Sequence, residues 1–520
     1  MSVARNTLVQ ASLTLVSRVL GVARDVLLAA RIGAGPVGDA WATALMFPNL
    51  FRRVFAEGAF ASAFVPSYSR VLEADGPEAA QALANEALKA LFAITAVFTI
   101  AAQIAMPWLM LVIHGGQADD PESFNLAVLL TRITMPYLTF ISITALLAGV
   151  LNSVQRFVLS AGAPTLLNIC LIGSAFVSVE PVMTAQAAAV ATFIAGILQA
   201  LLLWWGARRQ NVRLSLIGLP RITPNVKKVM ALALPGTIAA SGTQINIIVS
   251  QALASYEVGA KALLYYADRL YQLPLGLVGV AVGVAILPRL SRSARAGDET
   301  AARRTMDEGI GLAVALTLPA TAALLIAPGL LIEGIFARGE FLTSDAQKSA
   351  LALFHYAWGV PAFVLIKVLA PAFFAREDMK TPMRYALLSV AINTVLGAGL
   401  FIWFRQNGDL GFPGLAIATS VAAWVNAGAL ATTLMARKWY VPGPVLISRF
   451  LRAAIATGVM TGALIAVLIN AEMIKSMIGD SLILRALVFI LVGMGVYGVA
   501  ALVTGAVKLS DLRGSAKQAN

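Results

Sequence analysis

The sequence predicts an all-α integral membrane protein with about 14 transmembrane helices, arranged as two six-helix lobes in a parallel pseudo-repeat plus two C-terminal helices. Hydrophobic residues make up 59% of the 520 residues and charged residues only 12%, which is too little charge to cover a water-soluble protein of this size. Apolar runs long enough to cross a bilayer recur from one end of the chain to the other. No sizeable extramembrane domain is therefore expected.

The apolar runs and the turns between them define both the spans and their orientation. The spans are expected near 8–30, 39–70, 83–113, 124–152, 159–179, 183–206, 225–253, 259–288, 309–335, 349–375, 384–404, 413–436, 449–470 and 483–506. Of the 39 Lys and Arg residues, 25 fall on the side of both termini and seven on the other. Because cytoplasmic loops are enriched in these residues, both termini are predicted to be cytoplasmic. The net charge of +13 then reflects topology, and no nucleic-acid partner is expected.

A weak internal repeat relates the two halves of the chain. Pro66, Ser69 and Arg70 match Pro288, Ser291 and Arg292 at an offset of 222, and Pro136, Ile141, Ala145 and Asn168 match Pro361, Ile366, Ala370 and Asn393 at 225. An offset of six helices keeps the same orientation, as in transporters with parallel repeats and a substrate path between the lobes. The predicted division is an N-lobe at 1–206, a cytoplasmic amphipathic linker at 207–224, a C-lobe at 225–436, and a C-terminal helix pair with its tail at 437–520.

Seven basic residues lie inside the predicted spans, where topology does not explain them: Arg18, Arg24, Arg52, Arg53, Arg132, Arg269 and Lys367. An Arg at the bilayer centre costs at least ~2.5 kcal/mol, so each should face a protein interior or a wet cavity. The acids in the spans are fewer, so the interior is net positive. Guanidinium groups match phosphate oxygens bidentately, and the pattern therefore favours an anionic substrate over a cationic drug.

The first span carries two of these arginines and an acid. Arg18 and Asp25 are seven residues apart on one helix face, so an internal ion pair between them is the structural alternative to a binding role. Arg24 has no obvious partner within the helix, which favours a cavity position. Gly21 lies between the charges and permits a bend.

The second span contains a proline next to adjacent arginines. Pro48 removes a backbone hydrogen bond, and a kinked helix here would suit the wall of a cavity that changes shape. Arg53 and Glu57 are four residues apart and can pair, which leaves Arg52 to point elsewhere. Asp39 follows a Gly-rich turn, so capping of its own helix is an equal alternative to a functional role.

The remaining polar candidates also have structural alternatives. Asp268 and Arg269 are adjacent and could form a charge pair near a helix end, and Arg132 could reach the membrane interface with its long side chain. Lys367 lies deeper in its span, which favours a cavity role. Cys170 is the only cysteine and is expected to be a buried packing residue, so neither an intrachain disulfide nor a cysteine metal cluster is possible.

Several segments together resemble one known family. The segments are 17–25 (SRVLGVARD), 48–66 (PNLFRRVFAEGAFASAFVP), 266–270 (YADRL), 367–371 (KVLAP) and 380–382 (KTP). They are similar to the signature of the MurJ (MviN) lipid II flippases of the MOP superfamily of multidrug, oligosaccharidyl-lipid and polysaccharide exporters. The resemblance extends over nearly the whole chain. One departure is Gln272, where some relatives carry an acid.

The resemblance implies a function in peptidoglycan biosynthesis and cell shape. Lipid II, the undecaprenyl-pyrophosphate-linked disaccharide-pentapeptide, would be moved from the cytoplasmic to the periplasmic leaflet of the bacterial inner membrane by alternating access through a cationic central cavity. The last two helices would form a groove for the lipid tail. Partners implied are lipid II and membrane lipids, with cell-wall synthesis proteins left open. No cofactor is implied; a bound sodium ion or chloride is left open, and its ligands and any metal site are unknown.

Residue patterns and resemblance together define two candidate sets. The candidate substrate-binding cations are Arg18, Arg24, Arg52, Arg53, Arg269 and Lys367. The candidate gate residues or polar partners are Ser17, Asp25, Asp39, Asn49, Glu57 and Asp268.

Two alternatives are weighed against a lipid II flippase. One is another MOP exporter, either a polyprenyl-linked oligosaccharide flippase or a multidrug antiporter, although the arginines of the first two spans disfavour cationic drugs. The other is a membrane enzyme acting on polyprenyl phosphates, which would need clustered carboxylates or histidines near a loop. The tight acidic pair Asp119 and Asp120 has no such partners nearby in the sequence, and the chain is not expected to be an enzyme.

Overall fold

A computed structural model describes residues 3–52, 59–220, 223–408 and 410–507. The predicted all-α class is confirmed, since these residues form α-helices joined by short turns, with a 3-10 turn at Gly115–Gln117. The helices are α1 (Val3–Ile32), α2 (Pro36–Arg52), α3 (Ala59–Ala74), α4 (Gly76–Ile113), α5 (Pro121–Thr134), α6 (Tyr137–Ser153), α7 (Phe157–Ser174), α8 (Pro181–Arg209), α9 (Pro224–Ala254), α10 (Ala260–Arg295), α11 (Glu299–Ile326), α12 (Pro328–Phe336), α13 (Thr343–Ala357), α14 (Val360–Phe374), α15 (Lys380–Asn407), α16 (Pro413–Ala436), α17 (Pro444–Ile469), α18 (Ala471–Ile478) and α19 (Leu482–Thr504).

Ten helical stretches among the described residues are long and apolar enough to cross a membrane, so the chain is a multi-pass membrane protein. They coincide with ten of the predicted spans; α5 with α6 makes one of them, and α13 with α14 another. The other four predicted spans correspond to α1, to α2 with α3, to α9 and to α10. Three of these four contain all of the charged candidates except Lys367, which lies on α14. The total of about 14 spans stays a prediction.

Two of the ten apolar stretches consist of two helices that meet next to a proline. α5 and α6 are separated at Pro136, and α13 and α14 are separated at Gly359, just before Pro361. A proline has no N–H to donate, so a helix readily ends or restarts there. These two prolines are one of the matched pairs of the internal repeat. Asn168 and Asn393, another matched pair, are both buried, in α7 and α15 respectively.

Residue packing divides the chain into two compact units. The first comprises Met1–Ala262 with Gly339–Phe341, and the second comprises Leu263–Arg338 with Leu342–Asn520. In the first unit, α9 packs against α3 and α4, so this unit extends beyond the predicted linker at 207–224. The division into six-helix lobes around that linker stays a prediction.

The predicted linker is attached to α4 at several points. Residues 212–217 are not helical, and the backbone N–H of Ser215 donates to Asn85 Oδ1 at 2.7 Å. At the end of the segment, Thr223 Oγ1 caps α9 and donates to Glu86 Oε2 at 2.5 Å. Ser215 and Thr223 therefore attach the described parts of this stretch to the first turns of α4.

In the second unit, the start of α15 is capped by a carboxylate. Asp378 accepts hydrogen bonds from the backbone N–H and the hydroxyl of Thr381, at 3.0 and 2.7 Å, and from Arg437 Nη1 at 2.6 Å. These interactions, with those from Thr381 largest, lower the pKa of Asp378 to about 2. Thr381, within the segment 380–382, therefore has a structural role. Through Asp378 it connects the start of α15 to Arg437 at the end of α16.

Gly33 closes α1 in a conformation that only glycine adopts readily. Its φ is +74°, and a Cβ there would lie 2.7 Å from the carbonyl oxygen of Glu340. We expect Gly33→Ala to destabilise the purified protein by about 1–3 kcal/mol and to lower its thermal unfolding temperature. Gly35→Ala is the matched control, since nothing lies within 4 Å of a Cβ at Gly35 and its φ is not positive. Equal unfolding temperatures for the two variants would contradict the strain argument.

Candidate substrate-binding site

Arg24 and Asp25 form a buried ion pair on α1. The guanidinium donates to Asp25 Oδ1 through Nε at 2.9 Å and through Nη2 at 2.7 Å. Its third nitrogen, Nη1, donates to Asn168 Oδ1 on α7 at 2.9 Å, and Asn168 in turn donates to the Ser17 carbonyl at 2.8 Å. Arg24 is 8% exposed and Asp25 4%. Asp25 and Asn168, the latter fixed by Ser17, thus hold the Arg24 guanidinium in one orientation.

This arrangement differs from the sequence prediction in two respects. The pairing of Arg18 with Asp25 was wrong, since Asp25 pairs with Arg24 and the Arg18 side chain is exposed. α1 is a continuous helix through Gly21, where a bend was considered. Gly21 instead faces α7: a Cβ added at this position would lie 3.8 Å from Asn168 Oδ1.

Asp39 forms a second buried cluster, at the start of α2. Its carboxylate accepts hydrogen bonds from the backbone N–H groups of Gly259 at 2.7 Å and Ala262 at 3.0 Å, and from Gln117 Nε2 at 2.8 Å. Asp39 is completely buried. Capping of its own helix was therefore the wrong alternative, since the carboxylate caps the first turn of α10, about 220 residues later in the chain.

Lys261 supplies the positive charge of this second cluster. Its Nζ donates to Thr43 Oγ1 at 3.0 Å and to the Ile113 carbonyl at 2.8 Å, and it lies 2.8 Å from His114 Nδ1. Both Lys261 and His114 are completely buried. Lys261 is the second residue of α10 and is not among the candidates that the sequence suggests. The cluster belongs entirely to the first unit.

Further along α10, Arg269 and Asp268 lie in the second unit. The Arg269 guanidinium carbon is 4.5 Å from the centroid of the Tyr265 ring, a cation–π contact. Asp268 accepts a hydrogen bond from Gln272, one turn further along α10. Both candidates are partly buried, so they retain access to solvent or to a ligand.

The other sequence candidates are less informative. Asn49 donates to the Leu45 carbonyl at 2.7 Å within α2, beside Pro48, and Lys367 is exposed on α14. Arg52 is the last residue of α2, and its side chain lies outside the described part of the structure. Arg53 and Glu57, with their predicted pairing, lie outside the described residues as well.

Besides Lys261, sequence reasoning missed four side chains on which the two clusters depend. Asn168 is there only a repeat match, and Gln117, Thr43 and His114 are not among the candidates. The available signal was polarity, since Asn168 and Thr43 are hydrogen-bonding residues within apolar spans. Such groups need partners inside the protein because lipid offers none. The first cluster holds the Arg24 guanidinium in a fixed orientation, ready to bind an anion. In the second cluster Asp39 caps α10 and so stabilises the start of that helix.

Comparison with known proteins identifies the family. A family model described as lipid II flippase MurJ matches residues 28–492. The chain belongs to the MurJ family. A probable lipid II flippase MurJ from Rhizobium tropici is 39% identical over 526 residues, which cover 100% of this chain and 97% of that protein. The resemblance inferred from the motifs is therefore confirmed.

Solved structures agree with the MurJ assignment at the level of the fold. A lipid II flippase MurJ in an inward closed conformation superposes with a TM-score of 0.75 at 24% identity, covering 95% of this chain and 98% of that one. An inward-facing multidrug resistance MATE transporter of the MOP superfamily gives a TM-score of 0.65 at 16% identity, covering 83% and 98%. The MurJ family is one of flippases rather than of catalytic enzymes. The family model matches the chain from residue 28 onward. The Rhizobium tropici protein aligns with the whole chain, so the similarity also includes the segment from Ser17 to Asp25.

Proposed function

We propose that this protein is a lipid II flippase. It carries undecaprenyl-pyrophosphate-linked disaccharide-pentapeptide from the cytoplasmic to the periplasmic leaflet of the inner membrane, by alternating access through a cationic central cavity. Both termini lie in the cytoplasm, in accordance with the Lys and Arg distribution. The observation that carries the proposal is the buried Arg24 guanidinium, held by three hydrogen bonds in a chain of the MurJ family.

The diphosphate of lipid II suits such a guanidinium. Arg24 is preoriented by Asp25 and Asn168, so little side-chain entropy is lost when an anion approaches. A phosphate oxygen accepts the same planar pattern of N–H donors as the Asp25 carboxylate does. Before substrate arrives, Asp25 balances the buried charge. Substrate binding then exchanges one anionic partner for another, and no covalent step is required.

The membrane potential supports the proposed direction of transport. A charge that crosses the membrane changes in energy by ~2.3 kcal/mol per 100 mV. An interior that is negative relative to the periplasm drives an anionic headgroup outward. The polyprenyl tail stays in lipid during this movement, and the apolar pair α17 and α19, which pack against each other, is the proposed groove for it.

A leaflet-specific assay of lipid II tests the proposal. In cells depleted of their own flippase, lipid II accessible from the periplasm should fall, and expression of this chain should restore both its level and growth. Membrane abundance of the protein is measured in parallel by immunoblotting. Normal periplasmic lipid II during depletion, or failure of an abundant wild-type protein to restore it, would refute the proposal.

A multidrug exporter of the same superfamily is the second candidate, because the likeness to a MATE transporter extends over most of the chain. Its prediction is resistance to cationic dyes and drugs on overexpression. In the first unit, Asp25 is paired with the Arg24 guanidinium, and the Asp39 carboxylate accepts hydrogen bonds from Gly259, Ala262 and Gln117, so both carboxylates already have partners. We therefore expect unchanged drug susceptibility in the same strains.

A further inference from the structure

His114 and Lys261 occupy positions in the second cluster that the proposed transport cycle does not use. His114 follows the last residue of α4, and its ring is completely buried. Lys261 Nζ lies 2.8 Å from His114 Nδ1. The Nε2 atom on the other side of the ring is also buried and has no hydrogen-bond partner among the described residues. Two basic groups thus meet in a site without water access.

The surrounding hydrogen bonds determine which group carries the proton. An ammonium has three donors and no acceptor, and Lys261 Nζ lies within 3.0 Å of Thr43 Oγ1, the Ile113 carbonyl and His114 Nδ1, a ring nitrogen that accepts when the ring proton is on Nε2. Thr43 uses its own proton to donate to the Asp39 carbonyl, at 2.8 Å. The arrangement that satisfies all three contacts has Lys261 as an ammonium, which balances the carboxylate of Asp39, and His114 neutral with its proton on Nε2.

Protonation of His114 is incompatible with this arrangement. An imidazolium carries N–H on both nitrogens, so its Nδ1–H would point at the Lys261 ammonium, and two like charges would lie in contact without water. Among the described residues, Lys261 on α10 is the charged group facing the ring, and Asp39 on α2 is reached only through Gln117. In the described part of the chain, no carboxylate is placed to stabilise the imidazolium.

We propose that His114 and Lys261 form a proton-sensitive latch, which holds residues 113–117 against the first turn of α10 and releases them when His114 is protonated. The latch adds regulation by pH to the proposed flippase and does not depend on the identity of the substrate. With the proposed orientation, it lies at the periplasmic end of the first unit. Acidification of the periplasm then favours the released state.

The sign of the effect follows from proton linkage. In the closed latch, the pKa of His114 is lowered to about 3, chiefly because the ring is buried and also because Lys261 is charged. A hydrogen-bond contribution from Gln117 acts in the opposite direction and raises the pKa. In a released state the ring is hydrated and its pKa returns to about 6.5. The released state therefore binds the proton more tightly, and its population rises as the pH falls below 6.5. From pH 7.5 to 5.5 the expected rise is about tenfold.

Nuclear magnetic resonance of the full-length protein in nanodiscs tests the closed state directly. The chain contains only two histidines, so ¹⁵N-histidine labelling yields two ring systems, and His114→Asn assigns them by removing one. We expect the His114 ring as the Nε2–H form at pH 7.5, without titration at 6.5. His114 titrating near 6.5 while residues 113–117 and 259–262 remain protected from exchange would overturn the latch.

Hydrogen–deuterium exchange tests the release. After correction for the intrinsic rate, local opening of peptides covering 113–117 and 259–262 should rise about tenfold from pH 7.5 to 5.5 in the wild type. In His114→Asn, the side-chain oxygen can still accept from Lys261 but cannot titrate, so the rise should be absent. The loop at 175–180 serves as an internal control in both proteins. An equal pH response in wild type and variant would overturn the proposal, whether or not the protein flips lipid II.

Discussion

Replacing Arg24 with lysine is expected to reduce lipid II export by at least about tenfold while the protein still reaches the membrane at its normal level. The lysine keeps the positive charge that Asp25 requires, so the buried ion pair is retained. It cannot donate to both Asp25 and Asn168 from one plane, as the guanidinium does at 2.7 to 2.9 Å. The expected loss corresponds to one or two charge-assisted hydrogen bonds to the diphosphate, each about 1.5–3 kcal/mol.

The measurement is the rate at which lipid II becomes accessible from the periplasm, normalised to protein abundance in the membrane. Arg289→Lys is the matched control, because Arg289 bonds Glu308 at an exposed site, at 3.0 Å, where such pairs contribute little. Export by the Arg24 variant equal to that of the control would show that the guanidinium geometry is not needed.

Replacing Asp39 with asparagine is expected to destabilise the protein by about 3–5 kcal/mol, because the buried Lys261 ammonium then has no counter-charge. The variant also weakens the cap of α10, since an amide accepts fewer hydrogen bonds than a carboxylate does. Thermal unfolding of the purified protein and its abundance in membranes are the measurements. Asp298→Asn, at the exposed cap of α11, should cost much less, about 1 kcal/mol or below.

A double variant separates the charge effect from the loss of the cap. Asp39→Asn combined with Lys261→Met removes both buried charges, and it should recover a large part of the stability that the single change loses. A double variant that is no more stable than Asp39→Asn would assign the whole effect to the cap and would contradict the charge argument.

Much of the architecture could be predicted because hydropathy and helix length are local properties. Ten predicted spans coincide with helices apolar enough to cross a membrane, since about 20 apolar residues suffice whatever their neighbours are. The four remaining spans include the three that carry all the candidate charges except Lys367, and these charged residues interrupt the apolar pattern. The motif match also identified the family, because a sequence signature does not require knowledge of contacts.

The partners of the candidate residues could be predicted only in part. Asp25 and Arg24 were both recognised, but helical spacing favoured Arg18 as the partner of Asp25. A spacing of seven residues places two side chains on one helix face, which is why Arg18 was expected to pair with Asp25. The adjacent Arg24 pairs with Asp25 in the structure, and its guanidinium also donates to Asn168 on α7. For Asp39, the nearby turn suggested a local cap, and the actual N–H donors belong to a helix that begins at residue 260.

The sequence by itself determined that this chain is an all-α multi-pass membrane protein of the MurJ family with cations among its apolar spans. Only the tertiary structure decided that Arg24 is held between Asp25 and Asn168, that Asp39 caps α10, and that Lys261 is buried against His114. The physical reason is that lipid supplies no hydrogen bonds. Each buried polar group must find its partner on whichever helix packs against it, and helix packing is not a local property of the sequence.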